Sequence, residues 1–225
     1  MLLLNNQHIH KMKNILLVIA ATFFMLSCNT DRNNRDRDRM DDRDTLVDGT
    51  DDNAEFHKKH IGDLHNAMNV MMKDFKSQQF SGDADYDFAL IMKRHHQGSM
   101  DMAKCITDNS TDAEMKAFAA RINERQLREV QEFDLIIQDK TNAKGDSDFA
   151  NRAVAMTTPM NEMNHGTTLD DTYASIMINH HRDAIKIAEE YLKESGKHPK
   201  MAQIATEITK THPEEIREFE AYRSK

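Results

Sequence analysis

The chain has 225 residues, a formal charge of -8, 30% charged and 6% aromatic residues, no Trp, 7 Gly and 3 Pro. That balance excludes a nucleic-acid binder, which needs a clustered basic face, and a sheet protein with many turns, which needs aromatic residues, Gly and Pro in quantity. It suits one all-α domain of surface-charged helices, within which the 12 His and 16 Met are the unusual numbers.

From the N-terminus, Lys11 and Lys13 precede an apolar run, Ile15 to Leu26, that is short for a membrane span and closes on Ser27-Cys28. Residues 1–28 therefore read as a signal peptide, with Met12 as an alternative start. A small residue followed by Cys after such a run resembles the lipobox of bacterial lipoproteins. That resemblance implies lipidation of Cys28, a membrane anchor there, and residence in the cell envelope, in the periplasm or at the outer membrane. Met25 and Leu26 depart from the commoner lipobox residues, and ordinary secretion is the alternative. Residues 29–53, rich in alternating Asp and Arg, hold too little apolar surface to offset ordering entropy and are expected to form a disordered tether. With Cys28 lipidated, Cys105 is the one remaining thiol, and it reads as a small buried apolar residue.

The remainder, 54–225, divides into halves at about 54–143 and 148–225. In the first half, apolar residues at spacings of three and four predict a helix over Glu55–Gln79. Ser81-Gly82-Asp83 breaks it, and Asp85 is expected to cap a second helix over Tyr86–Ile106. A third starts near Ser110 or Thr111, and Lys140 to Ser147 forms a hinge. The second half repeats the plan, with helices expected over Asp148–Met163, over Asp171–Glu194 and from Pro199. Pro213 should kink or interrupt the last of these, because it lacks a backbone N–H. The repetition is explicit in Asp85–Ala103 and Asp170–Ala188. Seven pairs are identical: Asp85/Asp170, Ala89/Ala174, Ile91/Ile176, Met92/Met177, His95/His180, His96/His181 and Ala103/Ala188. Further along, Met115/Met201, Ala119/Ala205, Ile122/Ile208, Glu129/Glu215 and Phe133/Phe219 also pair. An internal duplication follows, and the simplest architecture is a bundle whose four longest helices, two per half, are related by a pseudo-two-fold axis.

Met92, His95 and His96, with Met177, His180 and His181, are the candidate metal ligands. Adjacent helical residues point about 100° apart, so one His of each pair is expected to face the core and the other a groove or a neighbouring helix. The stripe holding Met92, His96, Ser99 and their equivalents is otherwise small, which suits close approach of the two motif helices. Imidazole serves many divalent ions and thioether selects Cu(I), so the combination points to copper, with other transition metals open. His57, His60 and His65 with Met68, Met71 and Met72, and Met156, Met160 and Met163 with His165, are candidate satellite ligands. For the satellite methionines core packing is the preferred reading.

The run from Gly82 to Ala103, with INERQLREVQEF after it, resembles the bacterial domain of unknown function family 305. These are exported helical proteins of ferritin-like fold, some implicated in copper binding. Its HHQG motif maps onto His95, His96, Gln97 and Gly98, and a later motif onto Gln126, Glu129 and Val130. The second copy departs from it, with Arg182-Asp183 in place of Gln-Gly and His212 in place of Gln126, which adds His212 to the satellites. The resemblance implies a ferritin-like bundle. A di-iron oxidase of such a fold needs two Glu-x-x-His motifs and two further Glu, whereas here Glu162-x-x-His165 stands alone. The function expected is copper buffering, chaperoning or resistance without catalysis. The alternative is a structural or stress-related envelope protein whose His pairs hydrogen-bond in the core, with metal oxidation behind both. A metal ion is the expected partner, nucleic acid is not, and a protein partner or homo-oligomer is open.

Overall fold

A computed structural model describes residues 50–139, 145, 147–159, 162–163 and 165–225. The signal peptide, Cys28, nearly all of the tether and Met160 lie outside the described residues. Six helices appear: α1 Thr50–Ser77, α2 Ala84–Asn109, α3 Ala113–Asp139, α4 Asp148–Ala155, α5 Leu169–Leu192 and α6 Pro199–Arg223. No strand occurs among the described residues, and the protein is an all-α bundle. None of the described helices is long and apolar enough to cross a membrane. α1 begins inside the segment expected to be tether.

The ends of the helices show local chemistry choosing the boundaries. Asp83 caps α2, where the expectation was Asp85: its Oδ1 accepts from the Asp85 and Tyr86 amides at 3.0 and 3.1 Å. The preceding turn is held by Asp87, whose carboxylate accepts from the Ser81 amide at 2.8 Å and the Gly82 amide at 3.1 Å. Gly82 sits at φ 84°, a conformation that glycine adopts without penalty. Asp85 instead reaches across the fold and accepts from the Tyr191 hydroxyl at 2.5 Å and the His198 amide at 2.8 Å, tying the start of α2 to the junction of α5 and α6. Asp112, beyond the expected Ser110 or Thr111, accepts from the Met115 amide at 2.9 Å. Ser147, Thr168 and His198 cap α4, α5 and α6.

Hairpins α2/α3 and α5/α6 are the most extensively packed pairs, as a duplicated unit requires. α2 and α5 meet at the centre. α1 lies on α2 and α5, and α4 lies on the same two helices, so these first helices of the two halves occupy related places. They differ in length. The six helices expected are all present among the described residues, but the one expected over Asp148–Met163 stops at Ala155. The residue before Pro159 is turned away from helical geometry, and that residue, Thr158, donates through its amide (2.6 Å) and Oγ1 (2.9 Å) to the Asp183 carboxylate on α5. The departure from the HHQG motif thus has a structural meaning. In the first half Gly98 lets α1 approach, since a Cβ there would lie 2.8 Å from Met71 Sδ and 2.9 Å from Met71 Cβ. In the second half, where the equivalent helix has ended, Asp183 holds the loop that follows it.

α6 continues through Pro213, so of the expected kink or interruption the interruption does not occur. Pro costs a helix interior about 3 kcal/mol. Burial of Ile208, Ile216 and Phe219 on the same helix, at roughly 1.5–3 kcal/mol per side chain, offsets it.

Candidate metal centre

All four paired histidines are buried, so the second His of each pair faces a neighbouring helix and not a groove: His95 is 1% exposed and His96, His180 and His181 are 0% exposed. The two faces instead lead to different neighbours inside the bundle. His95 and His180 stack across the seam between α2 and α5 with centroids 3.6 Å apart. His96 turns to α3, where Nε2 lies 2.5 Å from Glu129 Oε2, and His181 turns to α6, where Nε2 lies 3.0 Å from Glu215 Oε2. The imidazoles that meet across the axis are therefore His95 and His180, and the stripe expected to supply them supplies a Ser99 Oγ to Met177 Sδ contact of 3.8 Å. His212 extends the run, its ring 4.4 Å from that of His181. Five imidazoles, those of His96, His95, His180, His181 and His212, form one buried cluster of neighbouring rings.

Arg125 completes the arrangement. It donates to Glu215 through both terminal nitrogens, Nη2 at 2.8 Å, while its Nε lies 3.7 Å from Glu129 Oε1. Burial disfavours the charge on Glu215, but hydrogen bonds from His181 and Arg125 outweigh it and hold the carboxyl at about 2. Burial likewise works against the Arg125 charge, and Glu215 overcomes it and raises its pKa. For His95, His180 and His212 nothing compensates: burial first, then neighbouring imidazoles and, for His212, Arg125, push each well below the ordinary histidine value. These three rings are neutral at pH 7, the state in which imidazole has a lone pair for a metal.

The lone-pair inventory is specific. Among the described residues, His95 Nδ1, His96 Nδ1, both nitrogens of His180 and His212 Nε2 are buried with no hydrogen-bond partner, as are the Gln126 amide and the Tyr173 hydroxyl. His96 combines a carboxylate on Nε2 with a free Nδ1, the pattern in which an outer carboxylate orients a metal-binding imidazole. His181 is different, since its Nδ1 faces the Met177 carbonyl at 2.8 Å and its Nε2 faces Glu215. Ligand atoms of His181, His212 and Glu215 all lie within 4.8 Å of one another, a buried set that joins one motif residue, one satellite and one carboxylate. The donor set of neutral imidazoles and a carboxylate fits a transition-metal ion.

The satellites other than His212 go elsewhere. Met68 and Met71 are buried in the core and Met72 packs against it; Met156 is half-buried at the end of α4. His57 Nδ1 accepts from the Leu169 amide at 3.2 Å, and His65 and His165 face each other at 3.1 Å, so these rings tie α1 to the start of α5. His60 lies by Asp63, Nδ1 to Oδ2 3.0 Å, with Cys105 beside them. Glu129, Glu215 and Arg125 were not among the expected ligands. The signal that could have found the glutamates was present: an identical charged pair in an otherwise apolar repeated stripe. Arg125 has no such mark, because its place in the second copy is taken by Thr211.

The sequence matches the model of the family described as Domain of unknown function (DUF305) twice, over residues 30–137 and 85–223. This chain belongs to the DUF305 family. The double match accords with an internal duplication. A solved structure of CopM in the Ag-bound form, obtained by soaking, is 23% identical, with a TM-score of 0.49 over 65% of this chain and 97% of that one. A DUF305 fragment from Deinococcus radiodurans is 19% identical, with a TM-score of 0.48 over 64% and 97%. Among curated proteins there is no sequence match.

Proposed function

We propose that this DUF305 protein is a metal-binding protein of the cell envelope that holds copper, or a transition-metal ion of similar softness, as buffer, chaperone or resistance factor and not as an enzyme. One observation carries the reading: five buried imidazoles in sequence, four of them with ring nitrogens that no described residue satisfies. A buried polar group without a partner costs about 1–3 kcal/mol, so four such rings in one core call for a ligand. Neutral imidazoles favour many divalent ions, and the buried thioethers of Met92 and Met177 favour Cu(I) among them. The metal is cargo in this account, and His95, His96, His180 and His212 are its principal donors.

A second reading has its own support. Arg125 pairs with Glu215 and lies beside Glu129, and His96 and His181 bond to these two glutamates, so this outer part of the network stands as a structural core without metal. It does not extend to His95 and His180, which stack and do not hydrogen-bond. Element-resolved analysis of protein purified from its native compartment decides between the two: copper at near-stoichiometric level supports the proposal, and metal-free protein supports the structural reading. The envelope location rests on the Ser27-Cys28 boundary. Labelled lipid should be incorporated into the wild type and lost in Cys28→Ser, whereas release of a soluble chain cleaved elsewhere contradicts the anchor.

A further inference from the structure

Away from the imidazole run, the packing of α1 on α2 brings together three side chains of a different ligand chemistry. His60 and Asp63, three residues apart on α1, share a face of that helix, and Cys105 reaches the same place from α2. The ligand atoms of the three lie within 4.8 Å of one another. His60 Nδ1 is 3.0 Å from Asp63 Oδ2, and Cys105 Sγ is 3.8 Å from the His60 carbonyl. Phe56 lies edge-on to the His60 ring at 4.6 Å and holds its orientation. The His60 residue is buried, Cys105 half-buried and Asp63 exposed, so the group opens to solvent on the carboxylate side.

We propose that His60, Asp63 and Cys105 form a separate site for a divalent cation of borderline softness, of the Zn(II) class, with the Cys105 thiolate as its defining ligand. Nitrogen, oxygen and thiolate donors are the set Zn(II) takes, with metal–ligand bonds of about 2.0–2.3 Å. Tetrahedral placement of such donors separates them by roughly 3.3–3.6 Å, so binding draws together side chains whose ligand atoms now lie within 4.8 Å of one another. Binding forms bonds from the metal to Nδ1, a carboxylate oxygen and Sγ; the thiol proton leaves to solvent, and the aquated ion gives up water. Lys59, whose ammonium lies 3.5 Å from the same Asp63 oxygen, is the cation that the metal displaces. The thiolate separates this site chemically from the core, where the sulfur donors are thioethers.

The test uses the full chain with Cys28→Ser, so that Cys105 is its one thiol, and Co(II) as the probe. Titration should give the near-ultraviolet charge-transfer band of a thiolate bound to cobalt, reversed by Zn(II). Cys105→Ser should abolish the band; His60→Ala and Asp63→Asn should each weaken binding tenfold or more. His95→Ala with His180→Ala should leave the band in place, which keeps this site's fate distinct from that of the core. Circular dichroism confirms that each variant retains its helices. Two results overturn the assignment: a Cys105 thiol that reacts freely with a disulfide reagent at saturating Co(II) with no charge-transfer band, or a band unaffected by both His60→Ala and Asp63→Asn.

Discussion

His95 and His180 lie face to face at the centre of the bundle, ring centroids 3.6 Å apart and planes 21° apart, each from the same position of a repeated motif. Such a pair cannot both be charged in a buried site, and burial together with the adjacent imidazoles holds both neutral.

The first prediction concerns acid. His95, His180 and His212 have folded-state pKa values below the ordinary 6.5, so the unfolded chain binds more protons than the native one once pH drops below that value. Stability is therefore full above pH 6.5 and declines below it, by up to about 1.4 kcal/mol per pH unit for each ring. Glu215 adds a second contribution, one that stabilises above its unfolded value of 4.5 and is lost as pH falls toward about 2. Urea unfolding of metal-free protein from pH 7.5 to 4.5 should show the midpoint falling from near pH 6.5; a flat profile down to pH 5 contradicts the buried neutral state.

Two glycines should behave oppositely. Gly98→Ala places a methyl against Met71 Cβ at 2.9 Å, part of the α1 framework, and should destabilise by about 1–3 kcal/mol through overpacking. Gly62→Ala meets nothing within 4 Å on an exposed face of α1, and should stabilise by about 0.5–1 kcal/mol through helix propensity. Paired thermal and urea melts check the signs, and stabilisation by Gly98→Ala removes the close α1/α2 approach from the account.

Arg125 tests the charge network. Arg125→Met strands the Glu215 carboxylate in the core and should cost about 3–5 kcal/mol. Adding Glu215→Gln removes that charge, so the double variant should lose less than the sum of the single losses. Additive losses would show that the two side chains do not act as a pair.

The sequence made the helical class, the duplication and the positions of α2, α5 and α6 legible, because burial on one face writes a period of three and four into each. It did not show that α4 is short, since Met156 and Met163 continue the apolar spacing and the stop comes from Thr158 and Pro159 acting with Asp183, a tertiary contact. Nor did it place Asp85 correctly: an acidic residue at a helix start looks like a cap, and only the fold reveals that Tyr191 and His198 claim it. In the candidate site the histidine pairs stood out through repetition. Which His faces which neighbour was not readable, because the 100° step gives relative direction but not the partner helix, and the role of Arg125 depends on one half alone.

The most direct test of the central claim is a Cu(I) competition titration, with a chromophoric chelator, of the wild type against His95/His96/His180/His181→Ala, both confirmed helical by circular dichroism. Met92→Leu, which nearly conserves volume, serves as the sulfur-specific control. The wild type should bind Cu(I) tightly and in preference to Zn(II), Met92→Leu should lose part of that affinity selectively for Cu(I), and the quadruple variant should lose at least a hundredfold. Unchanged Cu(I) affinity in a folded quadruple variant contradicts the claim and leaves the imidazole run as core structure.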